Sequence, residues 1–210
     1  MPAYRSSAEG EIRVAVVERL REMMPGCRII HEINASSFGN RIDVLAVGEK
    51  SLAAVEIKSA KDKLDRLPDQ IKAMSLVTPH VYAALHEKFL ESGPLGSYPP
   101  KQARDAIAWI FPKTERKGHV ECSQDWRVRD TWRKPIATLP AGALLMLWRD
   151  ELQAICSGLG VKGCSKFTME EAADHIRWRM TGEQIATAVC NALRVRRCVE
   201  ADPEIFKAAA

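Results

Sequence analysis

The sequence predicts an α/β fold: a small mixed β-sheet flanked by helices, followed by a helical C-terminal extension. Three patterns point there. An amphipathic helix opens the chain, two short apolar runs around a polar turn form a hairpin, and a helix and further strand-like runs follow in alternation. From about Pro140 onward the texture is helical.

The first helix is expected from about Ser7 to Met24. Ser6 or Ser7 can cap it, and acidic residues occupy its first turn. Ile12, Val16, Leu20 and Met23 recur at helical spacing and should face the sheet, and Pro25-Gly26 ends the helix. Glu11 and Glu18 lie seven residues apart and so share a face. Cys27–Ile33 reads as the first strand. The turn-rich loop after it carries Ser36, Ser37, Phe38 and Asn40, which are expected to border a cleft.

Two apolar runs, Val44–Val47 and Leu52–Val55, then flank a turn containing Gly48. With Glu49 and Lys50 as the loop residues, Val44 pairs with Val55 and Asp43 falls opposite Glu56. Directly opposed residues on an antiparallel pair have Cβ atoms about 4.5–5.5 Å apart. Lys58, two residues beyond Glu56, lies on the same face. Two facing carboxylates repel, and a divalent cation compensates them: Mg²⁺ takes carboxylates, waters and phosphate oxygens. The spacing is therefore that of metal-assisted phosphodiester hydrolysis, with Lys58 beside the water. The plain alternative is a strand end at which Lys58 neutralises the carboxylates.

The pattern Asp43-x12-Glu56-Ile57-Lys58 resembles the core motif of the PD-(D/E)xK nuclease superfamily. The order helix, strand, motif-bearing hairpin, helix, strand is similar too. Downstream, Asp62, Leu64, Arg66, Leu67 and Gln70 resemble the D-x-L-x-R-L-x-x-Q segment of its Sce7726-like branch. Ile42 stands where the motif name has proline, and Met74 where the RecB-like branch has tyrosine. The resemblance covers about residues 8–90 well and the C-terminal third more loosely. It implies a restriction-endonuclease-like core and a DNA endonuclease or exonuclease. Asp43, Glu56 and the Ile57 carbonyl would bind Mg²⁺ or Mn²⁺. Glu11 would complete the set, Lys58 would orient or deprotonate the water, and Gln70 would reach back toward the site. Arg41, Lys61 and Arg66 are the expected nucleic-acid contacts near it. A DNA-binding protein that keeps this fold without catalysis, in a repair, phage or mobile-element complex, is the other reading.

After Lys58, Pro68 suits the first turn of a helix running to about Val77, and Val81–Leu85 reads as a central strand. Ser92–Pro100 is expected to be a Gly/Pro loop. Trp109, inside Ala106–Phe111, is expected to be a core strand residue. Trp126, Arg127, Arg129, Trp132, Arg133 and Lys134 suit either a core or a nucleic-acid surface.

The division expected is a core over 1–135 and a helical region over 136–210. In the latter, LLMLWRDELQAIC reads as one amphipathic helix, and a lysine-bearing turn leads to a helix capped by Thr168 with Glu171 three later. This pair loosely resembles a SAP-like DNA-binding hairpin, with Lys162 and Lys166 as contacts; an ordinary helical hairpin packed on the core is the alternative. A last helix, Thr181–Val195, ends near Arg194, Arg196 and Arg197, which match its dipole.

Composition sets the bounds. At 210 residues, 46% hydrophobic and 28% charged, the chain is an ordinary globular protein of one domain or one plus an appendage. No apolar run approaches the roughly 20 residues that span a membrane, and without a basic n-region followed by an apolar h-region a secretory signal is not expected. Six cysteines without metal-ligand spacing are expected to be reduced thiols in a cytoplasmic protein. The net charge of +4 is compatible with DNA, and residues 101–135 carry the excess. Nucleases that cut both strands often act as homodimers, so a dimer is an open expectation.

Overall fold

A computed structural model of the protein describes residues 7–35, 40–93, 96–111, 121–122 and 139–206. Its centre is a six-stranded sheet in the order β1-β2-β3-β4-β7-β8. The strands are β1 (Arg28–Asn34), β2 (Arg41–Val47), β3 (Leu52–Lys58), β4 (His80–His86), β7 (Ile107–Phe111) and β8 (Glu121–Cys122). β1, β2 and β3 run antiparallel; β3, β4 and β7 run parallel; β8 returns antiparallel. The sheet is thus mixed, as expected, with β3 and β4 in its middle.

Helices cover both faces. On one, α1 (Ser7–Met23) packs Ile12, Ala15, Val16 and Leu20 against Ile29, Val44, Val55, Tyr82 and Trp109. Trp109 is a core residue, its ring 4.3 Å from that of Tyr82. On the other, Leu45, Leu52, Ala54, Val81 and Leu85 meet α2 (Leu67–Ser75) and the C-terminal helices α3 (Arg149–Gly158), α4 (Met169–Arg179) and α5 (Gly182–Val195). The alternation along β3 explains this: every second residue serves each face, and all seven residues are buried. The helices after residue 139 therefore share one apolar core with the sheet.

The hairpin forms as its turn chemistry dictates. Gly48 N–H donates to the Ser51 carbonyl at 2.9 Å, leaving Glu49 and Lys50 in the loop, and Val44 pairs with Val55. Pro68 lies in the first turn of α2, and Thr168 and Thr181 cap α4 and α5 in reciprocal capping boxes.

Three expectations are corrected. Ser92–Pro100 is not simply a loop: β5 (Glu91–Gly93) and β6 (Gly96–Tyr98) form a small hairpin there. LLMLWRDELQAIC is two elements, a 3₁₀ segment at Ala141–Met146 and then α3. The 3₁₀ segment lies close against the end of α2, where a Cβ on Gly142 would collide with the Leu76 carbonyl. Arg196 does not serve the C-terminal dipole of α5; it is bound to Glu151 and the Met146 carbonyl and stacks on Trp148. Arg28 takes that role instead, donating to the carbonyls of Leu193, Arg194 and Arg196.

The outer edge of β1 is covered by the chain's own end. His31 N–H donates to Glu200 O and Asp202 N–H to Ile29 O, at 2.8 and 2.9 Å. This short strap closes an edge that would otherwise offer unpaired donors and acceptors. Five cysteines of the described residues are free thiols. No helix of the described residues is long and apolar enough to cross a membrane.

Candidate functional site

A cavity of about 240 Å³ opens where β2 and β3 part, between the first turn of α1 and α2. Glu9, Asp43, Glu56, Ile57 and Gln70 line it, with Asn34, Arg41, Asp62 and Arg66 toward its rim. The β2–β3 pairing stops at Val44–Val55. One position further, the Asp43 side chain replaces the ladder: its Oδ2 accepts the Ile57 N–H at 2.8 Å. That contact fixes Asp43 beside the end of β3, where Glu56 stands.

Glu56 is 1% exposed. Its Oε1 accepts Lys58 Nζ at 2.6 Å and also the Gln70 side-chain amide. Both donors converge on one oxygen. Glu56 Oε2 and Gln70 Oε1 are buried with no partner. Buried acceptors of this kind are costly unless something satisfies them. Burial, and then the charge of Asp43, push the Glu56 carboxyl up to about 7 despite Lys58 and Gln70. Burial also raises the Asp43 carboxyl, against the pull of the Ile57 N–H and of Arg13.

A second polar group adjoins the first. Arg13 of α1 is 1% exposed. Its guanidinium donates to Glu9 Oε1 at 2.7 Å, Glu32 Oε1 at 2.8 Å and the main-chain carbonyl of Asp43 at 2.7 Å, with His31 Nδ1 at 3.3 Å. Glu32 has a left-handed backbone, φ 54°, rare for a residue with a side chain. The β1–β2 ladder skips this position: His31 pairs with Val44 and Ile33 with Ile42, on either side of Glu32 and Asp43. Arg41 closes the group with an ion pair to Glu32 at 2.7 Å. Burial, and then Arg13, lower the His31 pKa.

The structure gathers Asp43, Glu56, Ile57, Lys58 and Gln70 at one place. Glu11 is not there. It is exposed on the outward face of α1, because Ile12, Val16 and Leu20 turn the opposite face to the sheet. The α1 carboxylate at the cavity is Glu9, two residues earlier and one turn from Arg13. Its signal was legible: Glu9, Arg13, Val16 and Leu20 fall on one helical stripe. Glu32 had no such signal, since nothing in its identity announces a left-handed backbone.

Arg41 is held by Glu32 rather than standing free for a phosphate. Arg66 is exposed on the rim. Lys61 is exposed in the same loop, whose Asp62 accepts Ser59 N–H and Oγ–H at 2.7 and 2.6 Å, but it does not line the cavity. Lys162 and Lys166 are exposed on the turn between α3 and α4 and do not line it either. Ser36, Ser37, Phe38, Trp126, Arg127, Arg129, Trp132, Arg133 and Lys134 lie outside the described residues.

The residues present fit a hard divalent cation. Asp43 and Glu56 carry the oxygen atoms that such an ion would take, and one buried oxygen of Glu56 has no hydrogen-bond partner. Among the described residues no three acidic, histidine or cysteine side chains converge as a ligand group; Asp43 and Glu56 line the cavity with the Ile57 main chain beside them.

One protein-family model matches, that of bacteriophage P4 protein cII, over residues 3–92. The match runs from before α1 into β5 and includes every residue lining the cavity. It spans less than half of the 210 residues and marks this stretch as similar to a phage protein family. No curated protein and no solved structure matches the chain.

Proposed function

We propose that the protein is a metal-dependent nuclease that hydrolyses DNA phosphodiester bonds in a phage or mobile-element setting. The observation that carries the reading is the Asp43–Glu56 pair, Asp43 half-buried and Glu56 buried with one oxygen unsatisfied and the other bound by Lys58. Such a pair destabilises the fold unless it has work to do, and perturbed carboxyls in a polar cavity are the mark of a working site. The family match supports the phage setting and is silent on catalysis.

In this reading Asp43 and Glu56 hold Mg²⁺ or Mn²⁺, which when bound polarises the phosphate and acidifies water. The remaining work falls to the chain. The Ile57 N–H keeps Asp43 in place. Gln70 and Lys58 fix one oxygen of Glu56 and leave the other, which would hold the ion. Lys58, on shifting from Glu56, donates to the attacking water or to charge developing on phosphate. Arg66, exposed at the rim, is placed for the DNA backbone.

The test is a cleavage panel of linear, nicked, branched and single-stranded DNA with Mg²⁺ or Mn²⁺. Wild type is compared with Asp43→Ala, Glu56→Ala and Lys58→Ala. At least one substrate is cut, and each substitution lowers the rate by about a hundredfold or more. Binding of DNA without cleavage of any substrate identifies the non-catalytic alternative, and unchanged activity in Asp43→Ala defeats the site assignment.

A further inference from the structure

We propose that Arg13 is a built-in cation that reserves Glu9 and Glu32, so that the site takes a single divalent ion, on Asp43 and Glu56. This deepens the metal-site reading and rests on it. Glu9 lines the cavity with Asp43 and Glu56, and Glu32 adjoins it through Arg13; no three of these side chains converge as a ligand group. Without a cation between them, Glu9 and Glu32 would be two further carboxylates beside the Asp43–Glu56 pair, the number that two-metal phosphodiester chemistry uses.

The geometry divides them. Arg13 lies between α1 and the two strands, giving one donor to Glu9, one to Glu32 and one to the Asp43 main chain. A guanidinium carries five donors in a rigid plane and is never deprotonated in a protein, so it can hold several acceptors at once as a permanent charge. At 1% exposure it has no solvent to swing into. A second ion would have to displace a buried arginine, which leaves an unpaired charge in the interior. Arg41 takes the remaining Glu32 oxygen. Asp43 and Glu56 have no arginine on their carboxylates; Asp43 meets a main-chain N–H, and Glu56 keeps a buried oxygen unpartnered.

Arg13 is also a positioning residue. Its bond to the Asp43 carbonyl stands where the β1–β2 ladder skips, and its bond to Glu32 helps hold a left-handed backbone there. It thereby sets where the Asp43 side chain leaves β2.

Calorimetric titration of the full-length apo protein with Mg²⁺ and with Mn²⁺ decides the matter. Wild type binds one ion per chain. Glu9→Gln and Glu32→Gln each still bind one, with affinity within about threefold of wild type, because neither residue is a ligand. Arg13→Met, checked for folding by circular dichroism, binds a second ion. Should Arg13→Met fail to fold, the two glutamine variants still carry the test. Two ions on wild type, a loss of about tenfold or more in Glu9→Gln or Glu32→Gln, or a folded Arg13→Met that still takes one ion, overturns the inference. No binding by wild type, or binding that survives Asp43→Asn, overturns the metal-site reading beneath it.

Discussion

Two buried charge clusters in this molecule are built in opposite ways. Around Arg28 and Arg196, donors meet acceptors. Arg28 ties the end of α5 to the C-terminal strap through the carbonyls of Leu193, Arg194, Arg196 and Asp202. Arg196 meets both oxygens of Glu151, and no buried side-chain atom of these three residues lacks a partner. Around Glu56 the reverse holds: two donors crowd one oxygen, and acceptors are left over facing a cavity. Saturation marks the first cluster as structural. Deficit marks the second as a place where something else completes the bonding.

The largest effect should come from breaking the saturated cluster. Glu151→Ala strands the Arg196 guanidinium, and removing one partner of a buried pair costs about 3–5 kcal/mol. Chemical denaturation should show that loss, while Mg²⁺ binding by whatever remains folded stays unchanged.

Next is the pH response of the unsaturated cluster. The folded Glu56 carboxyl titrates near 7, above its ordinary value near 4.5 in the unfolded chain. Between those values the folded state holds the extra proton. Apo stability therefore falls as pH rises from about 4.5 to about 7, on the order of 2–3 kcal/mol, and is flat above. Glu56→Gln should abolish that slope and melt higher than wild type at alkaline pH. A divalent ion competes with the same proton, so apparent Mg²⁺ affinity should rise with pH up to about 7 and then level off. Melting curves across pH, with and without Mg²⁺, check both signs.

The smallest effect sharpens the boundary of the site. Glu11→Gln, on the outward face of α1, should change stability by no more than about 0.5 kcal/mol. It should leave the Mg²⁺ dependence of melting untouched. A loss of that dependence would bring Glu11 back into the ligand set.

What could be read in the chain follows from what is local. The hairpin register was legible because a two-residue loop and two apolar runs fix it, and Asp43, Glu56 and Lys58 follow at once. The cap at Thr168 and the proline of α2 are equally local signals. Glu11 follows from the family resemblance, whereas the place of Glu9 at the cavity follows from helix phase, one turn before the buried Arg13. The Arg13–Glu32 pair joins a helix to a strand across 19 positions and depends on a backbone conformation that no residue type specifies. The close approach of the 3₁₀ segment before α3 to the end of α2 is likewise a contact invisible in the sequence.

The proposed nuclease chemistry requires that Asp43 and Glu56 together hold a divalent cation. Melting temperature in millimolar Mg²⁺, wild type beside Asp43→Asn, tests it most directly, because a ligand that binds only the folded state stabilises it by mass action. A rise of several degrees, about 1–3 kcal/mol, is expected in wild type and none in Asp43→Asn. A wild-type melting temperature indifferent to Mg²⁺ and Mn²⁺, or an equal rise in both proteins, would contradict it.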